Sequence, residues 1–214
     1  MKRITFICGH YGSGKSEVAT NLAIKKQVKM IFDLDIVNPY FRSRELEDLF
    51  NEHHIKIISS TLKATTSSDL PFISHEIMQP FHAPNLSAIY DLGGNGVGAR
   101  MLRQFSEVIN EEVDLLIVIN INRMETSNVE LIIKMIDSIE ASSGVKVTGL
   151  INNTNLLRET TVEDILKGEK VIKEVGRIRN LDILYTGVYK NINTDIKFCG
   201  ERLDLQLYLR KSWL

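Results

Sequence analysis

An octapeptide near the N-terminus, Gly9-His10-Tyr11-Gly12-Ser13-Gly14-Lys15-Ser16, constrains the chain more than any other feature. It matches GxxxxGK[ST] without a mismatch, the pattern of a phosphate-binding loop. The apolar run Ile4–Cys8 enters it and a segment of helical character leaves it, through about Lys26, so the spacing predicts strand, loop and helix. Glycines permit positive φ and close backbone approach, which lets successive amide N–H groups face an anion. The helix that follows adds its positive end. In such a loop Lys15 bridges the beta and gamma phosphates of a nucleoside triphosphate. The Ser16 hydroxyl ligates magnesium, which takes few protein ligands and keeps several waters. The expected nucleotide contacts therefore run from Gly9 through Ser16 and include the next residue, Glu17. The alternative, a chance glycine-rich turn, is disfavoured by the strand and helix on either side.

The rest of the chain repeats the strand–helix alternation. Lys29–Asp33, Ser87–Asp91, Leu115–Ile119, Val147–Ile151 and Leu181–Thr186 are short, nearly continuous apolar runs. Such runs belong to parallel sheets covered on both faces. Between them, Val129, Ile132, Ile133, Ile136 and Ile139 recur at helical spacing, and Thr161-Val162-Glu163-Asp164 opens another helix with acidic groups in its first turn. With 43% hydrophobic residues in 214, there is material for one core. We therefore expect a single domain over residues 1–214, a three-layer, doubly wound α/β fold with a mostly parallel sheet of the P-loop kind. Residues 39–86, where Pro71, Pro80 and Pro84 fall, read as an irregular excursion between strands. Near the end, Leu203, Leu205, Leu207 and Leu209 alternate like a strand, while 201–213 also fits a terminal helix packed on the core.

Two further segments carry carboxylates at strand ends. Asp91 is followed by Leu92-Gly93-Gly94; an acid there can hold magnesium, and the Gly94 amide can meet the gamma phosphate. Asp33 and Asp35 end the second strand two residues apart, and their mutual repulsion calls for a cation or donors. Ser16, Asp33, Asp35 and Asp91 are thus the expected metal set, with Asp35 the candidate for positioning an attacking water. The other readings, a glycine loop capping a strand and a solvated Asp35, leave these groups without a cation.

The order of these segments resembles the MinD/ParA/CobQ group of P-loop ATPases. The resemblance rests on the loop at 9–16, the DxD at 33–35, Asp91-Leu92-Gly93-Gly94, and Val147–Asn153 as a late strand ending in asparagine. It covers most of the chain, and only the first motif is specific by itself. It implies an ATP-dependent switch with magnesium, in which Asn153 or its neighbour Asn152 contacts the adenine edge; an ordinary strand-end turn is the other reading. Guanine-specific relatives carry [NT]KxD where this chain has Asn152-Asn153-Thr154-Asn155, without the acid, which favours ATP. Many members also carry a second lysine early in the loop. Position 10 here is His10, shorter and neutral for much of the time near pH 7, so activation across an ATP-sandwich dimer by that lysine is not expected. A homodimer remains open.

Composition excludes other classes. A net charge of −1 offers no general pull toward nucleic acid or anionic membrane, and no run approaches the roughly 20 apolar residues of a bilayer span. Cys8 and Cys199 form no CxxC pair, which suits a reducing cytoplasm. His53, His54, His75 and His82 show no metal spacing, and Lys167, Lys170 and Lys173 read as a solvated helix face. Arg42, Arg44, Arg100 and Arg103 follow the two carboxylate segments and could meet phosphate or a partner. Three functions fit: a slow ATPase switch acting on a protein or small-molecule partner, a small-molecule kinase or ATP-dependent ligase, and a nucleotide-binding module without turnover.

Overall fold

A computed structural model describes residues 1–34, 44–59, 75–93 and 96–209. Among these residues the sheet has eight strands: β1 Ile4–Gly9, β2 Met30–Leu34, β3 Lys56–Ser59, β4 Ala88–Leu92, β5 Val113–Ile119, β6 Gly149–Asn152, β7 Ile183–Tyr189 and β8 Glu201–Leu205. The helices are α1 Lys15–Lys26, α2 Arg44–Glu52, α3 His75–His82, α4 Gly96–Arg103, α5 Val129–Ser143 and α6 Val162–Arg179. The strand order is β3-β2-β4-β1-β5-β6-β7-β8, and every pairing is parallel. This is the α/β architecture of P-loop nucleotide hydrolases.

Helices cover both faces of the sheet, so its central strands carry apolar side chains in both alternating sets. Ile4, Phe6 and Cys8 of β1 join one core, with Ile132, Ile136 and Ile139 of α5, Ile172 and Val175 of α6, and Leu102 of α4. Ile7 of the same strand joins the other, with Val18, Ala19, Leu22 and Ala23 of α1 and Phe50 of α2. β5 divides likewise, Leu115, Ile117 and Ile119 to the first core and Leu116 and Val118 to the second. Each fully buried Ile, Leu or Val contributes about 1.5–3 kcal/mol, and that layering is what defines β1 as the central strand. Aromatic rings lock its neighbourhood: Tyr90 of β4 stacks on Phe6 of β1 at 4.6 Å and on Phe32 of β2 at 4.4 Å between centroids. The Tyr90 hydroxyl donates to the Ile77 carbonyl of α3 at 2.6 Å.

The winding positions the site. From β1 the chain passes through α1 on one face to β2, and from β4 it passes through α4 on the opposite face to β5. The direction of winding reverses around β1, and open parallel sheets bind ligands outside the carboxyl ends of the strands at that point.

One expectation is corrected and one open alternative is decided. The described parts of residues 39–86 are not irregular: they form α2, β3 and α3. β3 is a four-residue edge strand, so it lacks the long apolar run by which buried strands are read. Near the C-terminus the strand alternative holds over 201–205, with Leu203 and Leu205 buried and Asp204 between them exposed. Among the described residues no helix is long and apolar enough to cross a membrane. Cys8 is buried, Cys199 is exposed, and both are free. Burial pushes the Cys8 thiol up to about 11, despite the nearby Lys15 charge.

Candidate nucleotide site

The octapeptide leaves the end of β1 and closes onto α1. Gly14, the residue capping α1, has φ 85, and no side chain caps the helix. Its first amides are therefore left for another acceptor. A Cβ on Gly14 would lie 2.4 Å from Nδ2 of Asn153, so the loop passes close over the end of β6. That Asn153 amide donates to the Ser13 carbonyl at 2.7 Å. Inside the loop, the Ser13 amide and the Lys15 ammonium both donate to the His10 carbonyl, each at 3.2 Å. Lys15 is only 5% exposed. Among the described residues its one hydrogen-bond acceptor is that neutral carbonyl, and a buried ammonium so placed strongly favours an anion. Ser13 Oγ is buried and, among the described residues, has no hydrogen-bond partner.

Beside the loop, Ser16, Asp33 and Asp91 line one cleft with Thr20, Ile31 and Leu209. Strand register brings the acids together: Asp33 on β2 is the direct neighbour of Asp91 on β4, and Asp91 is the neighbour of Ile7 on β1. One hydroxyl and two carboxylates are hard oxygen donors, too few for a closed metal site. Among the described residues no group of three or more His, Cys, Asp or Glu could hold a metal ion. The set fits magnesium, which completes its shell with water and phosphate oxygens. Asp35 and Gly94, both expected here, lie outside the described residues, as does Arg42.

Other expected contacts are placed elsewhere. Glu17 is buried with its carboxylate turned to the chain end, where it accepts from the amides of Tyr208 at 2.5 Å and Leu209 at 3.2 Å. Its carboxylate is thus engaged by main-chain donors of the C-terminal segment, which leaves its own amide, at the start of α1, as the group that would meet a nucleotide. Asn152 is fully buried; it donates to the Ile165 carbonyl at 3.0 Å and accepts from the Thr154 amide at 3.1 Å. Both ends of its side chain are thus engaged within the fold, which ties the end of β6 to α6. Asn153 is also buried and holds the phosphate loop from beneath. Tyr11 is 61% exposed at the loop tip. The His10 ring lies 3.1 Å from the Tyr11 carbonyl and 3.7 Å from a Glu125 carboxylate oxygen.

Two residues were not read from the sequence. Arg123, in the turn after β5, donates from Nε to the Gly12 carbonyl at 2.9 Å. Asn120, at the end of β5, joins that turn to the one after β6: its Nδ2 donates to the Asn155 carbonyl at 3.1 Å, and its Oδ1 accepts from the Asn122 amide at 3.0 Å. An asparagine just past a buried strand was the available signal for Asn120. Arg123 has none, because its partner is 111 residues away.

No family model and no curated protein matches the sequence. Solved structures do. The chain is similar to the cell division protein FtsY of Thermotoga maritima, with 15% identity and a TM-score of 0.55, over 86% of this chain and 61% of that one. It is similar to the signal recognition particle receptor FtsY of Elizabethkingia anophelis, with 15% identity and a TM-score of 0.52, over 96% and 62%. A structure of that receptor in complex with GDP matches at 15% identity and a TM-score of 0.53, over 88% and 58%. The chain thus spans less than two thirds of the length of each, and the likeness is one of fold.

Proposed function

We propose that the chain binds a magnesium nucleoside triphosphate and hydrolyses it slowly, as a switch whose nucleotide state sets its affinity for a partner. One observation carries the reading: a buried lysine and a loop amide converge on a single oxygen, at the amino end of a helix that no side chain caps. Donors gathered this way stabilise charge on a transferred phosphoryl group without having to reorganise. Lys15 supplies the positive charge, the Ser13 amide a fixed donor, and the start of α1 its dipole. Ser16, Asp33 and Asp91 would hold magnesium, whose charge offsets that of the phosphate oxygens. Asp35, two residues beyond Asp33, is the candidate for orienting the attacking water.

ATP is the proposed nucleotide, because the segment after β6 has Asn155 where guanine-reading segments place an acid. Asn155 is also engaged within its own turn, donating to the Asn153 carbonyl at 2.7 Å. A second reading, with a guanine nucleotide, is favoured by the GDP complex of an FtsY of like fold. Phosphate release measured with ATP and with GTP, magnesium present and no acceptor added, separates these. We expect slow release with ATP, lost in Lys15→Ala and lost in Asp35→Ala with binding retained. Faster release with GTP would transfer the reading to guanine. Undiminished turnover in Lys15→Ala would reject the site.

A further inference from the structure

We propose that Arg123 is a positioning residue for the phosphate loop, turning the Gly12–Ser13 peptide so that its N–H faces the oligophosphate; this rests on the nucleotide reading above. The pairing of β5 with β1 brings the two segments together, since the β5 turn emerges beside the loop. Nε of Arg123 donates to the Gly12 carbonyl at 2.9 Å. The guanidinium lies so close that a Cβ on Gly12 would be 3.2 Å from Nε and 3.4 Å from Cζ, and Gly12 has φ 76. The positive φ favours glycine there, and a Cβ would also make the Arg123 side chain give way by a few tenths of an ångström.

The peptide's own geometry carries the consequence. Among the described residues there is no cis peptide bond. In a trans peptide the carbonyl and the following N–H point in opposite directions. Holding the Gly12 carbonyl against Arg123 on one side therefore sends the Ser13 N–H to the other. There it meets the His10 carbonyl, the same oxygen that Lys15 reaches. A phosphate oxygen is the natural replacement for that shared acceptor, being charged where the carbonyl is not.

Arg123 is delivered from a firm base. Its amide donates to the Asn120 carbonyl at 3.1 Å, its carbonyl accepts from the Thr126 amide at 3.0 Å, and the buried Thr126 hydroxyl donates to the Asn120 carbonyl at 2.7 Å. Among the described residues Nε makes the one hydrogen bond of this exposed guanidinium, to the Gly12 carbonyl. The nearby titratable groups of the two turns, the His10 ring and the Glu125 carboxylate, face each other at 3.7 Å.

The test compares the parent chain with Arg123→Gln and Arg123→Lys, titrating magnesium ATP, magnesium GTP and inorganic tripolyphosphate while following the Ser13 amide by ¹H–¹⁵N NMR. Arg123→Gln is expected to bind each phosphate chain that the parent binds about tenfold more weakly. Its Ser13 amide should be displaced even without ligand, at unchanged melting temperature, and Arg123→Lys should recover part of both effects. An Arg123→Gln variant with parental affinity and a parental Ser13 resonance would overturn the assignment alone. So would weakened binding that tracks a general loss of stability. A folded parent that binds none of the three ligands would instead remove the nucleotide reading on which the assignment rests.

Discussion

Gly14 sits where two constraints coincide: a left-handed backbone at φ 85, and Nδ2 of Asn153 lying 2.4 Å from any added Cβ. A non-glycine residue in that region costs about 1–2 kcal/mol before any clash. Gly14→Ala should lower the unfolding free energy measured in urea by at least that amount and weaken nucleotide binding. Adding Asn153→Ala removes the clash but not the backbone strain, so the double variant should recover only part of the loss. Full recovery would show that φ at Gly14 is not under strain. The glycine itself was legible, since the motif demands it. The role of Asn153 was legible only as an asparagine at a strand end. The Ser13 carbonyl it holds is 140 residues distant, and no spacing rule reports such a pairing.

At the scale of elements, legibility followed burial on two faces. β1, β2, β4, β5, β6 and β7 run between helical layers or close to them, and their apolar runs announced them. β3 and β8 are the sheet's edges, and each has only one neighbouring strand. β8 accordingly alternates, with Leu203 and Leu205 inward and Arg202 and Asp204 on the opposite, more exposed face, a pattern that a helix of mixed composition can imitate. The opening of α6 was legible for a local reason: Thr161 and Asp164 form a capping box, each side chain bonding the other's backbone. Thr161→Ala should cost about 1 kcal/mol in chemical denaturation. The Asp164 carboxyl is held below its ordinary 3.8 by the Thr161 amide and hydroxyl. A carboxyl depressed in the folded state stabilises above its unfolded value, and that contribution is lost as the pH falls through the folded one. Asp164→Asn should therefore be less stable than the parent at neutral pH, and the gap should close below pH 3.8. A gap that persists unchanged into that range would mean the charge is not what the cap uses.

For the molecule as a whole, the site depends on strand order. Residues from the ends of β1, β2 and β4 form the loop and its carboxylates, and the turns after β5 and β6 brace the loop from outside. A ligand held by so many elements should stabilise all of them together. At a hundred times its dissociation constant it adds about 2.7 kcal/mol to the folded state. The alternation of strands and helices made the layers legible, but the order of strands is a property of the folded sheet, and with it came the meeting of Asp33 with Asp91. The most direct measurement is calorimetric titration of the folded chain with ATP and with GTP, with and without magnesium, beside Lys15→Ala. The account predicts saturable heat at one site with a magnesium triphosphate, sharply reduced without the metal and absent in the variant. No heat with either nucleotide, or equal heat from Lys15→Ala, would contradict it.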